Sequence, residues 1–330
     1  MRTAKVLGLS TFLMAAIPNA MSESQILEKL GLPQETRALV IHADDAGMSW
    51  AADAATVEAM EKGVVTCGSA MVPCSWFPAT VRACKENPKL DMGIHLTLTS
   101  EWSVYRWGPV AGKTLVPNLV DDEGYMWRDV PEVYESVGTD LDQVVVEVQA
   151  QIDHARNLGF EPTHLDSHMG TLFYNEDYFK AACNMALDND LPFMAFAYNE
   201  KMGEMYKSKL PYYDEKIVES LDRAGFPLFD WFMGEELAGD TYEEGFQNYC
   251  DFFTQLKPGV TLLIVHLGKD GEELKHITGR HGARDRQYRI FTDPKMKERL
   301  QKEGIRLLGW REIKQGIWDK RDKSIEKVFQ

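Results

Sequence analysis

From Ser24 onward, short β-rich runs alternate with amphipathic helical stretches. This alternation confines the chain to a parallel sheet covered by helices. Strands are expected at Ala38–Ala43, Val64–Val72, Met92–Leu98, Pro162–Asp166, Pro192–Ala197, Leu228–Phe232, Val260–His266 and Ile305–Leu308. Helices are expected at Ala51–Lys62, Pro78–Glu86, Leu141–Leu158, Asp177–Leu187, Asp214–Ala224, Tyr242–Leu256 and Pro294–Lys302. In the clearest of these, Leu141, Val145, Val148, Ile152 and Ala155 fall on one apolar face at three- and four-residue steps. The reading is an α/β fold with one domain, an irregular (β/α) barrel of seven to eight parallel strands. No Gly- or Ser-rich linker and no internal repeat argues for a second domain. Thr99–Pro131 does not read as a βα unit. It is rich in Trp, Tyr, Gly and Pro and is expected to form a long loop after the third strand, the kind of segment that carries function.

Charge narrows the partners. Fifty-one acidic residues against 36 basic ones give a net charge of −15, which repels phosphate backbones and anionic lipid surfaces. No nucleic-acid partner and no membrane insertion are expected. At the start, Arg2 and Lys5 precede the apolar run Val6–Ile17, and Ala20 offers a cleavage point. This reads as a secretory signal peptide over residues 1–22, too short for a spanning helix. The protein is then expected to be exported, periplasmic or secreted, if the segment is cleaved, and cytoplasmic otherwise. The five cysteines, Cys67, Cys74, Cys84, Cys183 and Cys250, are odd in number and contain no Cys-x-x-Cys, so no complete disulfide framework is available. Cys67 is expected to be buried in its strand, and Cys74–Cys84 is the one candidate pair.

Metal-competent residues cluster at strand ends. The first strand ends in Asp44 and Asp45, followed by Gly47 at a tight turn. Neighbouring strand residues face opposite ways, but a turn at the strand's end can bring both carboxylates to one site, where one binds a metal and the other serves as base. Asp is equally at home in a turn or at a helix N-cap. His95 lies inside an apolar strand, where a hydrogen-bonded core histidine is the commoner outcome. His164, Asp166 and His168 alternate along another strand and share a face, with Asp166 suited to accept the second ring N–H of a metal-bound histidine. One of the two strand-end aspartates, with His95 and His168 on two other strands converging at the same barrel mouth, forms a set of one carboxylate and two imidazoles that leaves positions open for water and substrate. Two imidazoles favour Zn²⁺, and an open site with one carboxylate also suits Mg²⁺. His266 ends a further apolar strand and could protonate a leaving group, or simply close a buried strand. Gly108–Thr114 resembles a phosphate loop, but its glycine spacing is one residue short and no strand precedes it, so it reads as an ordinary loop. Trp102, Tyr105, Trp107 and Trp127 in the long loop suit either stacking on sugar rings or packing on one another.

In their order and spacing, Asp44-Asp45-Ala46-Gly47, Gly63-Val64-Val65-Thr66, Gly93-Ile94-His95-Leu96-Thr97-Leu98-Thr99 and Thr163-His164-Leu165-Asp166-Ser167-His168 resemble the YdjC/ChbG-type carbohydrate deacetylases. The similarity runs from about Ala38 to Arg311, within a domain expected over residues 23–330. The resemblance implies an irregular (β/α) barrel and a metal-dependent hydrolase that removes acetyl groups from N-acetylated mono- or oligosaccharides. It implies Asp45, His95 and His168 as ligands of one divalent ion, Asp44 as general base and His266 as general acid. Arg284 stands where the family often has an arginine facing the site. The chain departs from the family pattern at His42, usually Asn, at Ala46, usually Phe, and at Gly170, where many members have a further His. These departures bear on the preferred sugar and leave the ligand set intact.

Two rivals stand beside this reading. A different metal-dependent hydrolase, an amidohydrolase or phosphoesterase, could use the same barrel. A bridging second metal would favour it, and the absence of further clustered His and Asp ligands in the sequence argues against it. A non-catalytic sugar-binding protein is the other, disfavoured because binding needs no base beside a metal. Sugar, chain length and oligomeric state are left open.

Overall fold

The computed structural model describes residues 23–138, 140–198, 210–234 and 236–329. The expected signal peptide, residues 1–22, lies outside the described residues. The strands are β1 (Arg37–Ala46), β2 (Cys67–Ala70), β3 (Met92–Leu96), β4 (Leu165–Ser167), β5 (Ala195–Phe196), β6 (Leu228–Phe229), β7 (Trp231–Met233), β8 (Gly259–His266) and β9 (Arg306–Leu307). A seven-stranded sheet runs in the order β4-β3-β2-β1-β8-β7, with β9 also pairing β1, and β5 pairs β6. Every ladder between these strands is parallel.

A parallel bridge between Leu165 and Phe193 ties β4 to the segment entering β5, and β6 runs through Asp230 into β7. The pairings therefore continue around a curled (β/α) barrel, as the alternation of the sequence predicts. The barrel is irregular in one respect. β9 pairs Ala38 and Leu39, while β2 pairs β1 only from His42 onward. Since β8 occupies the other edge of β1 along its length, β9 fills the gap where β1 and β2 splay apart.

Period-two alternation in β1 and β8 separates two environments. Leu39, Ile41 and Ala43 of β1, with Leu263 and Val265 of β8, pack outward against Tyr249, Phe253, Ile290 and Phe291 of the covering helices. Val40, Leu262 and Ile264 belong to the other large core cluster. His42 and Asp44 follow Val40 on the same face, so the sequence that builds an apolar strand also delivers two polar side chains to the barrel interior. The helix that follows β1 is closed locally by Ser49, which accepts from Ala52 N at the start of Trp50–Lys62.

Several boundaries differ from expectation. Val64 and Val65 leave the β2 ladder, with Val64 N donating to Phe291 O, and the strand shrinks to Cys67–Ala70. Helices Gln25–Leu30, Val130–Val137, Glu272–Ile277, His281–Thr292 and Trp310–Gly316 are additions to the expected set. The candidate Cys74–Cys84 pair is not formed, and all five cysteines are free. Cys74 is buried with Met48, Trp107 and Leu274, while Cys84 packs against the main core, so they serve different packing clusters. Cys67 is buried in β2 as expected.

Candidate active site

The site begins where β1 ends. Asp45 has φ +66°, in the left-handed region, a conformation that Asp tolerates better than most residues. The β1–β2 register shifts between Ala43 and Ala46 at the same place. This bulge breaks the alternation, so Asp44 and Asp45 both line one pocket. The turn is pinned from behind, because Gly47 N donates to Asp53 Oδ1 at 2.7 Å and Thr80 Oγ1 donates to the same oxygen at 2.6 Å. Gly47 itself has φ +79° and sits so close that a Cβ would lie 3.2 Å from Phe77 Cα.

Asp45, His95 and His168 are brought together with nearly complete burial. Asp45 Oδ1 lies 3.4 Å from His95 Nε2 and 3.3 Å from His168 Nδ1, and those two nitrogens are 3.2 Å apart. Asp45 Oδ1 is buried without a hydrogen-bond partner, whereas Oδ2 accepts from Arg284 Nη2 at 2.6 Å. A carboxylate oxygen left bare between two imidazole nitrogens, inside the protein, is a donor set that fits a divalent cation. Burial opposes charge on Asp45, but the Arg284 guanidinium and the two imidazoles outweigh it and hold the carboxyl well below the usual range.

Each imidazole is oriented by a carboxylate on its far side, the arrangement that fixes tautomer and direction in metal-binding histidines. His95 Nδ1 meets Asp166 Oδ1 at 2.8 Å, and Asp166 Oδ2 accepts from Ser69 Oγ at 2.8 Å. His168 Nε2 meets Glu101 Oε2 at 3.0 Å. Burial disfavours charge on His168, yet Glu101 and Asp45 prevail and push its value up to about 9. Asp166 thus serves His95 rather than His168. His168 has left the strand for the turn His168–Phe173 and His164 stands just before β4, so of the three only Asp166 lies in the strand. Glu101 is the residue that strand-end reasoning misses. Its signal is a carboxylate at the start of the long loop, six positions beyond His95.

Asp44 and His266 complete the pocket. Asp44 Oδ2 lies 3.8 Å from His95 Nε2 and 3.9 Å from His266 Nε2. Desolvation in the pocket and the nearby Arg284 charge lower the His266 value from that of a free imidazole, against the pull of Asp45 and Asp44, although 41 % of the side chain remains exposed. The cavity measures about 460 Å³ and is also bounded by Trp102, Met169, Glu236, Arg280 and Arg284. Glu236 and Arg280 form an ion pair there.

A second polar group lies deeper, against the expectation from sequence that no further His and Asp residues cluster. His42, His164 and Asp166 gather in the barrel interior. Their polar atoms are already committed: His42 Nε2 and His164 Nε2 are 2.8 Å apart, and Asp166 is engaged by Ser69 and His95. Hydrogen bonding accounts for this group without a second ion.

The loop after β3 also resolves into parts. Trp107 is buried, donates Nε1–H to Thr99 O and meets Trp102, Tyr105 and His168 edge-on. Trp102 lines the pocket, while Trp127 packs against the main core and donates to Asn118 O. The Gly108–Thr114 stretch is a loop, as expected. The Val110 and Ala111 amides are taken by the two oxygens of Glu147 at 2.9 and 2.8 Å, so they are not left to cradle a phosphate.

A parallel barrel with carboxylates and imidazoles converging at the C-terminal mouth has the layout of a barrel enzyme. The chain belongs to the YdjC-like protein family, which matches residues 38–302. It is 26% identical over 278 residues to a carbohydrate deacetylase of Thermoanaerobacter pseudethanolicus, covering 84% of this chain and 99% of that protein. It is 26% identical over 276 residues to a carbohydrate deacetylase of Enterococcus faecalis, covering 83% and 97%. Its fold is similar to the crystal structure of an Enterococcus faecalis V583 protein named for cellobiose-phosphate cleavage. That match has a TM-score of 0.66 and 24% identity and covers 83% of this chain and 98% of the other.

Proposed function

We propose that this protein is a metal-dependent carbohydrate deacetylase that hydrolyses the acetyl amide of N-acetylated mono- or oligosaccharides. The observation that carries the reading is the placement of Asp44 Oδ2 beside the Asp45–His95–His168 set with His266 opposite, all in one open cavity. Relatives named carbohydrate deacetylases, matched over nearly their full length, support the same substrate class.

Asp45, His95 and His168 would hold one divalent ion, Zn²⁺ or Mg²⁺. When bound, such an ion supplies Lewis acidity for the acetyl carbonyl and lowers the pKa of water. The chain's own groups divide the remaining work. Asp44 Oδ2 takes a proton from the attacking water as the C–O bond forms. His266 Nε2 gives a proton to the amine as the C–N bond breaks, leaving acetate and a free amino sugar. Arg284 occupies Asp45 Oδ2, so that only Oδ1 faces the two imidazoles. Trp102 at the cavity wall offers a face on which a sugar ring can stack. Export through the N-terminal segment belongs to the same proposal, and N-terminal sequencing of the mature protein tests it.

The direct test is acetate release from a panel of N-acetylated sugars, before and after chelation, with Zn²⁺ or Mg²⁺ returned. Release that stops with chelator and resumes with one metal is the expected result. Metal-loaded protein that releases no acetate from any of them would overturn the reading in favour of another hydrolase chemistry.

A further inference from the structure

The buried histidines of the barrel interior form a ladder that ends on Asp44. Its lower end is Asp91, which accepts Arg311 N on Oδ2 at 2.7 Å and Thr163 Oγ1 on Oδ1 at 2.6 Å. Thr163 has one hydroxyl proton. Having donated it to Asp91, the oxygen can only accept from His164 Nδ1, 3.0 Å away. His164 is fully buried and stacks on Trp310 at 4.5 Å. Burial and the neighbouring His42 hold His164 well below the ordinary imidazole value, so it is neutral with a bare Nε2. The 2.8 Å contact to His42 Nε2 then takes its proton from His42. At the upper end His42 Nδ1 lies 2.8 Å from Asp44 Oδ1, an oxygen that accepts. His42 thus donates from both ring nitrogens, with Asp166 Oδ2 at 3.4 Å supplying further negative charge beside Nε2. Burying such a ring unpaired would be costly. Here every polar atom of it has a partner.

We propose that His42 is a positioning residue for Asp44, with the Asp91–Thr163–His164 ladder fixing its ring. The Nδ1–H holds Asp44 Oδ1 and so turns Oδ2 toward His95 and His266, where the water must be deprotonated. Without it the carboxylate is free to rotate away from the pocket. This deepens the deacetylase reading and rests on Asp44 acting as the base.

Two measurements test it. The first is independent of activity: ¹⁵N spectra of histidine-labelled protein, with His42 assigned by its loss in His42→Asn, are expected to show both His42 nitrogens protonated. One bare nitrogen on His42 would overturn the ladder. The second uses the metal-loaded enzyme. His42→Leu is expected to lower kcat about 10- to 100-fold while KM and bound metal change by less than about twofold. His42→Asn places an amide N–H where Nδ1–H stood and is expected to recover kcat to within about threefold of the parent. A merely structural role would give no such rescue, and kcat unchanged in a folded His42→Leu would refute the proposal. If His42→Leu does not fold, His164→Leu serves instead, because it removes the acceptor that orients His42 and is expected to lower kcat in the same way. Failure of the parent chain to release acetate would count against the deacetylase reading, and the nitrogen spectra would still decide the ladder.

Discussion

Asp44 and His266 are register partners at the C-terminal ends of β1 and β8, and their side chains meet across the cavity with Asp44 Oδ2 3.9 Å from His266 Nε2. Neighbouring parallel strands present paired residues to the same side of the sheet, so one ladder fixes both candidate proton carriers at once. Asp44→Asn is expected to cut kcat for acetate release about 10²- to 10⁴-fold, the range for loss of a general base. Metal content should be unchanged, because Asp44 lies outside the Asp45–His95–His168 set. Parallel kcat and metal analysis checks this. Full activity in Asp44→Asn would remove Asp44 from the base role.

Glu101 should act on the ion and not on the proton transfers. It touches His168 on Nε2, the nitrogen turned away from Asp45. Glu101→Ala is expected to weaken metal binding about 10- to 100-fold, the usual consequence of losing such an outer partner. Metal titration should show the loss, and kcat at saturating metal should stay near that of the parent. Unchanged affinity would mean that packing alone orients His168.

Much of this site is legible in the sequence because barrel topology sends strand ends to one place. Asp44, Asp45, His95 and His266 stand at the ends of apolar runs, and period-two patterning already separates inward from outward positions. The His42–His164 contact is not legible in the same way. β1 and β4 do not pair with each other, so only curling of the sheet brings these rings within 2.8 Å. Glu101 is hidden because a loop has no periodicity to read. The two-residue strands β5 and β6 are anticipated only as longer apolar runs, since neighbours and not the sequence itself decide where a ladder stops. The Asp45 conformation is the clearest limit. That a turn can bring both aspartates to one site is readable, but the bulge that does so, with Asp45 at positive φ, depends on β2 and on Asp53 behind the turn.

Gly93 leaves space for the His164 ring. A Cβ at this position would lie 2.5 Å from His164 Cε1 and 2.6 Å from Nε2, closer than van der Waals contact allows. His164 cannot retreat easily, since Trp310 stacks on it at 4.5 Å. Gly93→Ala is therefore expected to destabilise the fold by about 1–3 kcal/mol, the range for overpacked cores. Urea unfolding measures this directly. A stability within about 0.5 kcal/mol of the parent, the ordinary scatter of surface changes, would show that the ladder can shift sideways without cost.

Glu147 should make stability depend on pH. It is completely buried and accepts from Val110 N, Ala111 N and Gln151 Nε2, tying the long loop to the helix Leu141–Asn157. Burial raises its carboxyl from 4.5 to about 7, and the amide donors recover only part of the difference. The folded chain thus binds this proton more tightly than the unfolded chain. Between about pH 4.5 and 7 the native state carries more protons, and stability falls as pH rises through that window. The full shift corresponds to a loss on the order of 3 kcal/mol by linkage. Glu147→Gln cannot ionise, so its unfolding free energy should lose that slope, while one backbone N–H gives up an acceptor. Urea midpoints for both proteins at several pH values from 5 to 8 supply the comparison. Parallel curves would show that Glu147 stays ionised throughout, held by its three donors despite the burial.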